Sequence, residues 1–273
     1  MFPRSGGEKV YLEAVYKHPQ LLATIVFGTY AVTLGFTAAG CIVFANHILI
    51  ALNVRGTDFV AQAIAVVVIS WVTMVHTFVP RIGIWIMNGL SSMKILLLLF
   101  IVLTGITVLC GYFHTVPDPY SSFRQPFASS VGNSGSYATA LFKILSSYIG
   151  WGNAAYVMSE VRRPVPTLKV AGPLGLGICG VLYILANVAY YAVLETDDVK
   201  NCGTTVASAF VRKVYGEHAE RVVSACIALS ALGNVMSVTF AQSRVNQELA
   251  KEGILPFSKF WASSWPAGEH SVT

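Results

Sequence analysis

Between Lys17 and Arg55 the chain runs for 37 residues without one Asp, Glu, Lys or Arg. Wound as a helix at about 1.5 Å per residue, that stretch is longer than the roughly 30 Å hydrocarbon core of a bilayer, so it must tilt strongly or protrude. The pattern recurs. Further charge-free intervals cover residues 59–80, 95–117, 170–194 and 222–243, each near or above the roughly 20 residues that a spanning helix needs. Composition explains why water is excluded as the sole solvent: 55% of the residues are hydrophobic and 11% are charged, against about 25% charged in soluble domains. The expectation is an all-α, polytopic membrane protein with about six transmembrane helices, near residues 20–53, 59–80, 83–113, 136–160, 170–194 and 221–243.

The fourth of these spans is broken. It carries Lys143 and then Gly150, Trp151, Gly152 and Asn153, and its uninterrupted charge-free part, 144–159, is only 16 residues long. An interrupted helix frees backbone carbonyls and amides that lipid cannot satisfy, so such a break survives where it lines a cavity or binds something polar. A glycine kink packed against a neighbouring helix is the other reading. Lys94 also has two readings. It lies 13 residues beyond Arg81, about 20 Å along a helix, where an ammonium needs partners or water and marks a pathway. If RIGIWIMNGLSS instead lies along the interface, Lys94 snorkels at the start of the next apolar run. Lys143 reads as a snorkelling side chain nearer the outer face.

Six spans put both termini on one side. That side carries Arg4, Lys9, Lys17, Arg81, Arg162, Arg163, Lys169, Arg244, Lys251 and Lys259, ten in all, and the other carries six, Arg55, Arg124, Lys200, Arg212, Lys213 and Arg221. The excess of positive charge predicts that both termini are cytoplasmic. Residues 204–215 predict a short helix on the outer surface, and 114–135, rich in Ser, Pro and Gly, a long outer loop. No secretory signal is evident. The six histidines are scattered without metal-ligand spacing, and neither paired acids nor a nucleophile beside a base is visible. The sequence therefore predicts no enzyme, metal or cofactor. Its basic residues form short clusters between apolar runs, which argues against nucleic acid. Four of the five cysteines lie in apolar runs, so no disulfide framework is implied. Gly172, Gly175, Gly177 and Gly180 read as small residues for helix packing.

Three ordered segments carry a resemblance: FPRSGGEKVYLEA (2–14), SYIGWGNAAYVMSEVRRPVPTLK (147–169) and GNVMSVTFAQSRVNQELAKEGILPFSKFWAS (233–263). They resemble amino-acid transporters of the amino acid, polyamine and organocation superfamily, in particular the L-type group and its fungal methionine-permease-like relatives. The resemblance implies a five-plus-five inverted repeat whose broken first and sixth helices meet at a midplane substrate site. This chain would supply the third to eighth helices, as a fragment: residues 1–263 form a partial permease transmembrane domain, and 264–273 a divergent tail.

Carried over by residue, the resemblance places substrate at Ser146, Ser147, Tyr148, Ile149, Gly150, Trp151 and Asn153, where backbone carbonyls accept hydrogen bonds from the substrate ammonium. Family members can carry an aromatic gate at the position of Ser146. Lys94 falls where sodium-independent members place a lysine instead of the ion, with Asn234 and Ser237 on the eighth helix completing that coupling site. A disulfide-linked heavy chain requires a cysteine in the loop after the third helix, and NVRGTDF has none, so no such partner is expected. The implied function is alternating-access transport of neutral L-amino acids, methionine-like, in the plasma membrane. Its rival is a truncated membrane protein that transports nothing or that partners full-length permeases. A membrane enzyme ranks behind both.

Overall fold

The computed structural model describes residues 8–19, 22–34, 37–54, 56–124, 130, 132–150, 152 and 161–263. Among these every regular element is helical: α1 (Glu8–Val15), α2 (Leu22–Leu34), α3 (Ala38–Ala51), α4 (Asp58–Phe78), α5 (Pro80–Leu109), α6 (Ser121–Arg124), α7 (Ser134–Ser147), α8 (Pro164–Val193), α9 (Thr196–Cys202), a 3-10 turn (Gly203–Thr205), α10 (Val206–Tyr215), α11 (Glu217–Lys251) and α12 (Ser258–Ala262). Among the described residues five stretches are long and apolar enough to cross a membrane: Leu22–Ala51, which takes in α2 and α3, then α4, α5, α8 and α11. The segment near 136–160 is not among them. Its described helix, α7, has 14 residues and buries none of them.

Helix boundaries follow local chemistry. Extended Thr57 precedes α4, and Asp58 in its first turn complements the positive end of the helix dipole. Pro80 ends α4 and opens α5 at a position where a missing N–H costs nothing. Only Val79 separates the two helices, its N–H bonded to the Val75 carbonyl at 2.9 Å. At the far end of α3, Asn53 takes φ +55°. There its N–H bonds to the Ile50 carbonyl and the Val54 N–H to the Leu49 carbonyl, each at 3.0 Å, the double closure that a left-handed residue makes at a helix C-terminus.

The chain divides into two compact units. One comprises residues 38–140 and 177–236. Within it Cys41, Val68, Val72, Val235 and Met236 pack with Ile86, Met87 and Leu90, and a second cluster joins Ile101, Val108, Val193, Phe210, Val214 and Val223. The early part of α5 thus meets the later part of α11 and the late part of α5 its beginning, so these helices run antiparallel. Short helix α10 lays Phe210, Val211 and Val214 into the second cluster, and Tyr190 meets Phe210 edge-on at 5.6 Å. Its Tyr215 sits against Phe100 and Phe113 and bonds to Thr104 at 3.1 Å. Beneath α10, buried Ser208 bridges His47 Nδ1 at 3.2 Å and Ser224 at 2.9 Å.

The tightest approach in this unit is at Gly105. A Cβ there would come within 2.7 Å of the Ala189 α-carbon, so α5 and α8 touch at the backbone, the use that membrane helices make of small residues. Gly105→Val is expected to lower the thermal unfolding midpoint of the purified protein by an amount corresponding to about 1–3 kcal/mol of overpacking. Gly89→Ala on the same helix, where a Cβ meets nothing within 4 Å, should leave the midpoint unchanged or raise it. Equal midpoints for the two variants would contradict this contact.

The other unit comprises residues 1–37, 141–176 and 237–273. Phe27, Ala31, Val245 and Leu249 form its core, with Leu12, Ile254 and Leu255 against them. Gln242 donates to the Ala31 carbonyl at 2.7 Å. Lys9, only 2% exposed, pairs with Glu13 at 3.3 Å and with Glu252, while Thr24, fully buried, donates to Glu13. A buried ammonium is tolerated here because two carboxylates face it.

Candidate functional site

The most informative segment lies where α7 stops. Ser147 is its last helical residue, after which the Tyr148 N–H bonds to the Leu145 carbonyl at 3.1 Å and the Ile149 N–H to the Ser146 carbonyl at 3.3 Å. These i to i−3 bonds tighten and close the last turn. Gly150 then takes φ +115°, a conformation reserved for glycine, and the chain leaves the helical path. Ser146 and Ser147 turn their hydroxyls back onto their own helix, donating to the Phe142 carbonyl at 2.8 Å and the Ile144 carbonyl at 2.6 Å. Their side chains are spent on the helix end, which leaves backbone groups as the polar atoms this turn can offer. Ile149 is 79% exposed and Tyr148 half-buried. Trp151 and Asn153 lie outside the described residues.

A helix C-terminus carries about half a negative charge, spread over its last carbonyls. The Glu8 carboxylate adds to it: a Cβ built on Gly152 would lie 3.8 Å from Glu8 Oε1. Turn and carboxylate together favour a cation such as a primary ammonium. Glu8 was missed by reading the sequence, although it sits inside the first of the three family-like segments. The missing signal was distance, since 144 positions separate it from Gly152.

Lys94 lies on continuous α5, so RIGIWIMNGLSS is no separate interfacial helix. It is half-buried, and among the described residues its ammonium forms no hydrogen bond or ion pair. One turn before it, Leu90 meets Gly233, where a Cβ would come within 2.7 Å of the Leu90 Cβ. Because α5 and α11 are antiparallel, this register sets Lys94 level with Leu229 and Ser230, a turn before Gly233. Asn234 follows Gly233 and is exposed. Its amide nitrogen would be 3.8 Å from a Cβ on Gly40, which places it toward α3. Ser237 belongs to the other unit. Ser230 is therefore a hydroxyl at the level of Lys94 that the resemblance did not single out, and only the helix register reveals it.

Among the described residues no group of three or more His, Cys, Asp or Glu could hold a metal. All five cysteines are free thiols.

Residues 1–272 match the amino acid permease family. The high-affinity methionine permease of Saccharomyces cerevisiae is 37% identical over 267 residues, 97% of this chain and 46% of its own length. The low-affinity methionine permease of the same yeast is 35% identical over 266 residues, 97% and 48%. The b(0,+)-type amino acid transporter 1 of Mus musculus is 25% identical over 256 residues, 93% and 51%. The chain spans about half the length of the curated relatives it matches.

Proposed function

Because this chain belongs to the amino acid permease family and its relatives are permeases, not enzymes, we propose that it is part of a secondary transporter for neutral L-amino acids, methionine foremost. Several apolar helices of spanning length and the family membership make it a multi-pass membrane protein. The observation that carries the reading is the stop of α7 at Ser147 followed by Gly150 at φ +115°: a membrane segment that abandons helical bonding offers its backbone to a polar ligand. The ammonium of the substrate binds the carbonyls of the segment from Ser146 to Asn153, with Glu8 adding negative potential. The apolar side chain follows the exposed face of Ile149. Lys94 supplies a fixed or exchangeable cation at the level of Ser230, and alternating access exposes the substrate site to each side in turn.

The test is uptake of radiolabelled L-methionine by proteoliposomes holding the 273-residue chain, and by the chain extended upstream in its reading frame. Saturable uptake by either supports the reading. Uptake by neither, with both correctly inserted, supports a membrane protein that transports nothing itself.

Orientation is part of the proposal, and it rests on the ten against six Lys and Arg of the two faces. In the plasma membrane, a cysteine introduced at Thr167 is expected to react with impermeant reagent only after permeabilisation, and one at Asp197 in intact cells. The reverse pattern would invert the topology.

A further inference from the structure

A cleft of about 220 Å³ opens where α3 ends and α10 gives way to α11. This is below the roughly 300–1,000 Å³ of drug-sized sites and suits a small metabolite or a headgroup. Its charged wall holds two guanidinium groups, Arg212 and Arg221, and two carboxylates, Glu217 and Glu220. The charges balance, so neither a lone anion nor a lone cation is favoured. Both carboxylates lie in the first turn of α11, where the positive end of the helix dipole favours negative charge. Arg212 and Glu220 stand 3.7 Å apart, well beyond the roughly 2.7–2.9 Å of a closed charge-assisted bond. Glu217 and Arg221 form no ion pair among the described residues. One charge of each sign is thus uncommitted. The opposite wall is apolar, from Leu49, Ile50 and Val54, and the left-handed turn at Asn53 holds it in place.

We propose that this cleft is a binding site for a small zwitterion, its acidic group on Arg212 and Arg221, its ammonium on Glu217 and Glu220, and its carbon chain against Leu49, Ile50 and Val54. A free amino acid has this chemistry, and so does the headgroup of phosphatidylethanolamine. None of the residues proposed for substrate at the α7 break lines it, so it stands or falls apart from the transport reading.

The experiment uses the 273-residue chain carrying Gly150→Val, which weakens the proposed site at the break, in nanodiscs of phosphatidylcholine. Equilibrium binding is measured for L-methionine and for glycerophosphoethanolamine, with methionine methyl ester and N-acetylmethionine as probes lacking one charge. Saturable binding of either zwitterion, weakened about tenfold or more by Glu217→Gln and by Arg221→Ala, is the expected result, and the better zwitterion identifies the source. The single-charge probes should bind at least about tenfold more weakly. Each variant is compared at an unchanged unfolding midpoint, and the charge-exchanged pair Glu217→Arg, Arg221→Glu should regain binding if either single variant proves unstable. Absence of zwitterion binding, or binding indifferent to Glu217 and Arg221, overturns the proposal. Methionine binding by the parent chain that Gly150→Val abolishes, with no binding of glycerophosphoethanolamine, would do so too and would assign the methionine to the break.

Discussion

Lys94→Ala is expected to abolish or slow L-methionine uptake by at least about tenfold while expression and membrane insertion stay normal. The lysine is 14 residues into α5, about 21 Å from its start, on a helix whose late half is packed against α8 and α10. Translocon measurements put a lysine at the centre of a spanning helix at roughly 2.5–3.5 kcal/mol. Removing it should therefore favour insertion, so any loss of uptake reports a working role for the charge. If the ammonium serves only as a fixed cation holding α5 to α11, uptake by the unmodified chain is insensitive to external pH. If it exchanges a proton during each cycle, uptake depends on external pH and the variant loses that dependence. Near-normal uptake by Lys94→Ala would dismiss both versions and leave a side chain that merely reaches the interface.

The second large effect belongs to Gly150. Holding a residue with a side chain at φ +115° costs on the order of 1–3 kcal/mol, so the turn either strains or re-forms as helix. Gly150→Val should weaken apparent affinity for L-methionine at the break about 10- to 100-fold. Gly150→Ala should fall between valine and the parent chain. Gly172→Ala in α8, where a Cβ meets nothing within 4 Å, serves as the comparison and should change nothing. An unaltered affinity in Gly150→Val would detach the turn from substrate recognition.

The all-helical architecture was legible because lipid imposes a simple rule, the absence of charge over a span, and runs such as 59–80 and 222–243 obey it. The end of α7 was legible for a related reason: glycines such as Gly150 and Gly152 do not readily continue a lipid-facing helix, whereas Trp151 and Asn153 lie outside the described residues. The rest depended on helix register, which charge patterns do not encode. Nothing in the apolar run around Gly233 says that its glycine meets Leu90, and therefore nothing says that Ser230 rather than Asn234 stands level with Lys94. Gly105 is equally silent in sequence, since a glycine in a membrane helix is common and only the partner, Ala189, gives it meaning. Nothing in the charges of Glu217 and Arg221 says that Leu49, Ile50 and Val54 line the same cleft.

The buried ion pair between Lys9 and Glu252 joins positions 243 residues apart. A ribosome adding roughly 5–20 residues per second needs about 12–50 s to bring the second partner out after the first. Throughout that interval, of the two described carboxylate partners of Lys9 only Glu13 has been made, and Val245 and Leu249, half of the core of that unit, do not yet exist. Helix α1 cannot complete its ion pairs until the helices between the partners have been made. Its docking is thus a late event of biosynthesis, timed by the arrival of the end of α11.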